Sequence, residues 1–285
     1  MQDRGGVRVA LVQMTSTDAP PENLSAARVF IRQAAGQAAK FVLTPEVMNC
    51  ITSDRAHQAK VLCREEDDPT LATLRDDARA FGIWLLIGSL GIRTGDADGR
   101  FANRSFLIAP DGTVAARYDK IHMFDVDISP TESYRESAAY RPGGQAVVAD
   151  TPFGRVGMSV CYDVRFPHLF RRLAQAGATI LTIPAAFNDT TGAAHWETLV
   201  RARAIENGSF VLAPAQCGTH GQHSNGRPRR TWGHSLAVAP WGEVLADGGV
   251  EPGVTVVDLD LGLIAAARGR VPSLKHDRTI QGPVR

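Results

Sequence analysis

Short apolar runs rich in β-branched residues alternate with amphipathic helical patterns along nearly the whole chain, and that alternation confines it to an α/β architecture. "VRVALVQM" from Val7 reads as a first strand, and "PPENLSAARVFIRQAAGQAAK" as a helix with prolines at its opening positions. "FVLTPE" is a short strand. "PTLATLRDDARAFG" is a helix with Pro69 early and Gly82 just past its end. "IWLLIGSL" is a further strand, and "RSFLIAPDGTVAARYDK" is a hairpin turning on Pro110-Asp111-Gly112. The second half repeats the scheme. The strand "RVGMSV" leads to the helix "HLFRRLAQAGA", then come "ATILTIP", the helix "HWETLVRARAIENG" ending at Gly208, and "SFVLAPAQ". A second hairpin, "WGHSLAVAPWGEVLAD", and the strand "GVTVVDLD" close the set. Hairpins mixed with βα units predict mixed sheets with helices outside. The number of strands points to two sheets packed face to face, although periodicity alone does not separate this from a three-layer sandwich. No linker or fixed-period repeat divides the chain, so a single domain over residues 1–285 is expected.

A chain of 285 residues can bury a large core, and its 44% hydrophobic and 21% charged residues are those of a soluble globular protein. Lys and Arg number 31 against 30 Asp and Glu, so no net field selects nucleic acid or an anionic membrane as partner. Four cysteines, at 50, 63, 161 and 217, are spaced too irregularly for a disulfide framework. "MQDRGG" runs straight into the first strand, unlike a signal peptide, and no apolar run approaches a membrane span. A reduced, cytoplasmic location is expected.

In open α/β sheets chemistry collects at the carboxyl ends of strands. Glu46 follows "FVLTP", Lys120 follows the second strand of the first hairpin, and Cys161 follows "VGMSV". A thiolate to attack a carbonyl, a cation to steady the oxyanion and a carboxyl group to move protons are what an amide hydrolase needs. The turn from the cysteine strand into the following helix has the logic of a nucleophile elbow, and helix N–H groups there would favour thiolate.

"TPE" at 44–46, "RYDKIHMFD" at 117–125, "CYDVRFPHLF" at 161–170, "TGAAHWETLVRARAIEN" and "WGHSLAVAPWGEVLAD" together resemble the carbon–nitrogen hydrolase (nitrilase) superfamily. The resemblance spans nearly the whole chain. It implies a four-layer αββα sandwich, pairing into homodimers, and a Glu–Lys–Cys triad at Glu46, Lys120 and Cys161. It adds Glu136, in "ESYRES", as a further active-site glutamate, and the Tyr162 backbone N–H as oxyanion donor. No metal or organic cofactor is implied. The stretches "KIHMFDVD", "CYDVRFP" and "AQCGTHG" look most like the deaminated-glutathione amidase and omega-amidase branches. Those take small amides bearing a carboxylate, so the pocket should offer a fixed cation. Arg165 is the candidate, with a structural pair to Asp163 as its other reading. Three places depart from the pattern: His168 stands where many relatives carry Glu, "ISPTESYRES" lacks a glycine common there, and "GTHGQHSNGRPRR" is longer than usual.

Other readings stand beside this one. Cys217, His220 and His223 fall in a C-x2-H-x2-H spacing, but a zinc site wants a fourth ligand that the sequence does not offer, so ordinary loop residues are the better reading. A cysteine–histidine hydrolase could use His122, His195 or His234 as base, and a non-enzymatic binding module could retain the fold. Trp196, Leu199 and Val200 form an apolar patch at helical spacing, a core pattern that the resemblance places near a dimer seam.

Overall fold

The computed structural model describes residues 5–130, 132–222 and 228–283. The first half supplies β1 (Val7–Gln13), α1 (Pro20–Gly36), β2 (Phe41–Leu43), α2 (Arg55–Val61), α3 (Pro69–Phe81), β3 (Trp84–Arg93), β4 (Phe101–Ile108) and β5 (Val114–Asp119). A hairpin of β6 (Asp125–Ser129) and β7 (Glu132–Arg135) and the short β8 (Tyr140–Arg141) lead to β9 (Val147–Thr151) and β10 (Gly154–Met158). The remainder is α4 (Pro167–Gln175), β11 (Ile180–Thr182), α5 (Asp189–Asn207) and β12 (Phe210–Ala213), then a ribbon of β13 (Cys217–Gln222) and β14 (Pro228–Trp232). β15 (Leu236–Val238), β16 (Val244–Asp247), β17 (Gly253–Leu259) and α6 (Gly262–Arg270) end it.

One sheet runs β17-β1-β2-β3-β4-β5, with β8 beside β4, and the other runs β16-β15-β12-β11-β10-β9. β1, β2 and β3 are mutually parallel, as are β10, β11 and β12, and antiparallel strands flank both sets. Strand alternation decides the layering. Val9 and Leu11 of β1 join Val156, Met158 and Ile180 in the core between the sheets. Their neighbours Ala10 and Val12 face outward onto Ile31 of α1 and Leu74 of α3. Strands buried on both faces read as continuous apolar runs, and these do. α4 and α5 cover the second sheet through Phe170, Trp196 and Val200, which completes a four-layer αββα sandwich. Trp196 and Val200 are therefore core residues of this chain and are not free to form a seam with another.

Helix ends follow the sequence signals. Asp68 caps α3 by accepting from the Leu71 N–H at 2.8 Å, and Gly82 and Gly208 end α3 and α5 in the left-handed conformation. Two segments that depart from the family pattern became structure that periodicity did not foresee: the described residues of "ISPTESYRES" contribute to the β6–β7 hairpin, and those of "GTHGQHSNGRPRR", 218–222 and 228–230, to the β13–β14 ribbon. Both are polar, two-stranded and off the main sheets, so they carry no core pattern to read. Among the described residues no helix is long and apolar enough to cross a membrane.

Candidate active site

Four strand exits meet at one point. The β2 exit turns sharply at Glu46 because Val47 sits at φ +42°, its N–H held by Ser89 Oγ at 2.8 Å. The close approach of this turn to β3 depends on Gly88, where a Cβ would fall 2.0 Å from Thr44 O. Cys161 also has a positive φ, +49°, and its N–H donates to Pro184 O at the β11 exit. A single helical turn over 161–165 separates it from α4, so the N–H groups around the cysteine are those of this turn. Tyr162 lies in the opening positions, where a helix leaves N–H groups without an internal acceptor. A β-branched valine and a cysteine in the left-handed region are unfavourable by themselves, and their surroundings must hold them there.

Glu46, Lys120 and Cys161 are 3%, 2% and 6% exposed, so the three groups meet in a nearly dry environment. Lys120 Nζ lies 2.8 Å from Glu46 Oε1 and 2.8 Å from Glu136 Oε2. Asn103 on β4, which sequence reasoning missed, donates to Glu46 Oε1 at 2.9 Å and to Glu136 Oε1 at 3.2 Å. The Ala186 N–H donates to Glu46 Oε2 at 2.8 Å, and the Phe124 N–H to Glu136 Oε2 at 2.6 Å. Each carboxylate is thus aimed by a backbone donor and shares the ammonium. An asparagine in a strand gives no local signal; only the register of β4 brings Asn103 here.

The charges follow from burial and neighbours. Burial works against a charged Glu46, but the Lys120 charge, with hydrogen bonds from Lys120 and Cys161, outweighs it and holds the carboxyl below its ordinary range. Burial likewise opposes the Lys120 ammonium, and Glu136 with Glu46 overcomes it, holding the group well above the usual lysine value. Burial and the adjacent Glu46 charge push the Cys161 thiol well above its usual range. The resting state is therefore carboxylate, ammonium and thiol. This corrects the expectation of a thiolate favoured by helix N–H groups, because desolvation and a neighbouring anion dominate.

Asp163, fully buried, ties two exits together. It accepts from Tyr118 Oη at 2.7 Å, from the His122 backbone N–H at 3.0 Å and from the Val160 N–H at 2.8 Å, and pairs with His122 Nδ1 at 2.7 Å. Tyr118 and His122 flank Lys120, while Val160 precedes Cys161. Asp163 is thus committed elsewhere and forms no pair with Arg165. Arg165 stacks on the rings of Tyr162 and Phe187, its Cζ 5.9 and 5.4 Å from their centroids, and Nη2 lies 3.2 Å from His195 Nδ1. It stands behind those two rings and does not itself line the cavity.

The cavity over Cys161 has a volume of about 610 Å³. Phe124, Tyr134 and Tyr162 form one wall, Ala186, Phe187 and Asn188 another, and Arg55 and Arg229 bring positive charge. No histidine lines it among the described residues. His122, His195 and His234 are engaged by Asp163, Arg165 and Asp247 respectively. His220 places its ring nitrogens against Ser16 O and Thr231 Oγ1, and His223 lies outside the described residues. Among the described residues no three His, Cys, Asp or Glu side chains gather as metal ligands would.

Residues 8–269 match the model of the carbon–nitrogen hydrolase family. The chain belongs to that family. This hydrolase is 40% identical to a deaminated glutathione amidase of Yersinia enterocolitica over 97% of its own length and 94% of the relative's. It is 37% identical to human omega-amidase NIT2 over 95% of each. Among solved structures, the C. elegans NitFhit protein superposes with a TM-score of 0.88 at 35% identity, over 96% of this chain and 65% of that one. A mutant amidase from Nesterenkonia sp. AN1, with a TM-score of 0.78 and 28% identity over 97% and 95% of the two chains, shows covalent addition of the acetamide moiety of fluoroacetamide at its active site cysteine. The fold is that of the nitrilases, and the protein is an enzyme that hydrolyses carbon–nitrogen bonds other than peptide bonds.

Proposed function

We propose that this hydrolase is a cysteine amidase cleaving a small carboxylate-bearing amide through a thioester, with deaminated glutathione as substrate. The observation that carries the chemistry is the Lys120–Glu46 hydrogen bond at 2.8 Å in the dry cavity that Cys161 also lines. Ionised Glu46 takes the Cys161 proton, and sulfur attacks the amide carbon. Lys120 and the Tyr162 N–H hold the oxyanion. Glu46 returns its proton to the nitrogen, the C–N bond breaks and the amine departs. Glu46 then deprotonates a water that attacks the thioester, and the leaving Cys161 sulfur regains its proton. Glu136 orients Lys120.

The substrate reading is supported by the deaminated glutathione amidases among the relatives and by a cavity large enough for more than a five-carbon acid. Similarity to omega-amidase NIT2 favours a second reading, α-ketoglutaramate, and an N-carbamoyl amino acid is a third. The acyl carboxylate is directed toward the Tyr162–Phe187 wall, behind which the Arg165 charge is stacked and acts through those rings. The test is a panel of deaminated glutathione, α-ketoglutaramate, simple aliphatic amides, nitriles and N-carbamoyl amino acids, with acyl product and released amine measured separately. Oxo-acid amides should lead and nitriles should be inert. Equal rates on uncharged aliphatic amides would remove carboxylate recognition, and an unchanged KM in Arg165→Lys would remove that residue from it. The enzyme acts in the cytoplasm as a homodimer.

A further inference from the structure

The cavity holds more positive charge than an oxyanion requires. Of its lining arginines, Arg135 is paired with Asp127 and Arg230 with Asp189. Arg55 is an exposed rim residue hydrogen-bonded to Ala138 O. Arg229 differs from all three. It is half-buried, and among the described residues no carboxylate lies within ion-pair distance of it. A half-buried guanidinium facing a concave site without an ion-pair partner in contact has donors and charge to offer an incoming anion.

Its position is fixed by the ribbon that carries it. Arg229 Nη2 donates to Ala186 O at 3.0 Å, and three residues later the Trp232 N–H donates to Phe187 O at 2.9 Å. Thr231 bridges to Asn188 in antiparallel fashion, so β14 is docked along the β11 exit. α5 closes onto the ribbon only because residue 192 is glycine, where a Cβ would fall 2.4 Å from Trp232 Cβ. The residue that accepts from Arg229 is also the one whose N–H aims Glu46, since Ala186 N donates to Glu46 Oε2. The Arg229 charge reaches Glu46 and Tyr134. Arg229 thus stands on the Glu46 side of the scissile bond. On the proposed mechanism that is the side from which the leaving nitrogen receives its proton.

We infer that Arg229 is a specificity-determining residue that binds a carboxylate carried by the leaving amine, so that the preferred substrates are N-substituted amides whose amine half is anionic. The inference deepens the carboxylate-amidase reading and rests on its assignment of Glu46 as the acid. The fixed fork of a guanidinium, held on one side by Ala186 O, leaves its remaining donors for two parallel bonds to a carboxylate.

The test uses three amides of 2-oxoglutarate at its side-chain carboxyl: the glycine amide, the ethylamine amide and the primary amide. Glycine and ethylamine differ in the carboxylate, so the ratio of their kcat/KM values reads its recognition alone. The wild-type enzyme should favour the glycine amide by tenfold or more, and Arg229→Gln should bring the ratio close to one through KM. Arg229→Lys, which keeps the charge and can still donate to Ala186 O, should retain part of the preference. Turnover of the primary amide reports whether each variant remains folded and competent. A wild-type ratio near one, or a ratio preserved in Arg229→Gln, overturns the inference. If no oxo-acid amide reacts while a neutral acyl amide does, the acyl-carboxylate reading falls. The glycine–ethylamine comparison on that neutral acyl group then decides the role of Arg229 separately.

Discussion

Cys161 combines a left-handed backbone, a buried thiol and an adjacent Glu46 charge. On the proposed mechanism the thiol is activated by its neighbour and not by its own acidity, which places the burden of the reaction on Glu46. Cys161→Ala and Glu46→Gln should each lower kcat by a thousandfold or more, about 4 kcal/mol of barrier, with thermal unfolding little changed. Rapid mixing with substrate followed by mass spectrometry checks the same assignment: a thioester adduct should appear on the wild-type cysteine and be absent from Cys161→Ala. Since no histidine lines the cavity among the described residues, kcat/KM should show no inflection in the ordinary imidazole range, about pH 6–7. Glu46 is held below its usual value, so it stays ionised throughout that window and base function is lost only at lower pH. A limb near pH 6.5 that disappears in a histidine variant would return the base role to that histidine.

At the scale of elements, the site is an arrangement of turns, each locked by a partner from another strand. Asp163 is the clearest lock, because its four hydrogen bonds join the turn after β10 to the segment that follows β5. Removing its carboxylate would strand buried donors on both sides, which is costlier than losing one bond. Tyr118→Phe is the gentler probe. It should cost about 1–2 kcal/mol of stability, read by denaturant unfolding, and reduce kcat severalfold with little change in KM. A stability loss with unchanged kcat would limit Asp163 to a folding role. The β6–β7 hairpin and β13–β14 ribbon act at the same scale. They supply Tyr134 and Arg229 to the cavity walls, yet neither has an apolar face of the kind that makes a strand legible in sequence.

For the whole molecule, exposed apolar side chains gather where the last turn of α5 meets the Pro240-Trp241-Gly242 turn. Ile205 and Trp241 are 55% and 45% exposed, and the Gly242 turn rests against Ile205 Cδ1. We place the proposed homodimer seam there and not at Trp196 and Val200, whose burial excludes them. Light scattering at micromolar concentration should report a dimer, and Ile205→Asp should shift it to monomer; a wild-type monomer would reject the assembly. The alternation of strands and helices, the hairpin turns at Pro110-Asp111-Gly112 and Pro240-Trp241-Gly242, the caps at Gly82 and Gly208, and the chemistry-bearing residues at strand ends were all legible from the sequence. These signals are local, written in periodicity and turn chemistry within one segment. The sequence could not show that Asn103 from β4 aims Glu46, that Asp163 binds Tyr118 and not Arg165, or that burial keeps Cys161 a thiol. Those outcomes depend on which strands become neighbours and how much water they exclude, and both quantities exist only once the two sheets have packed.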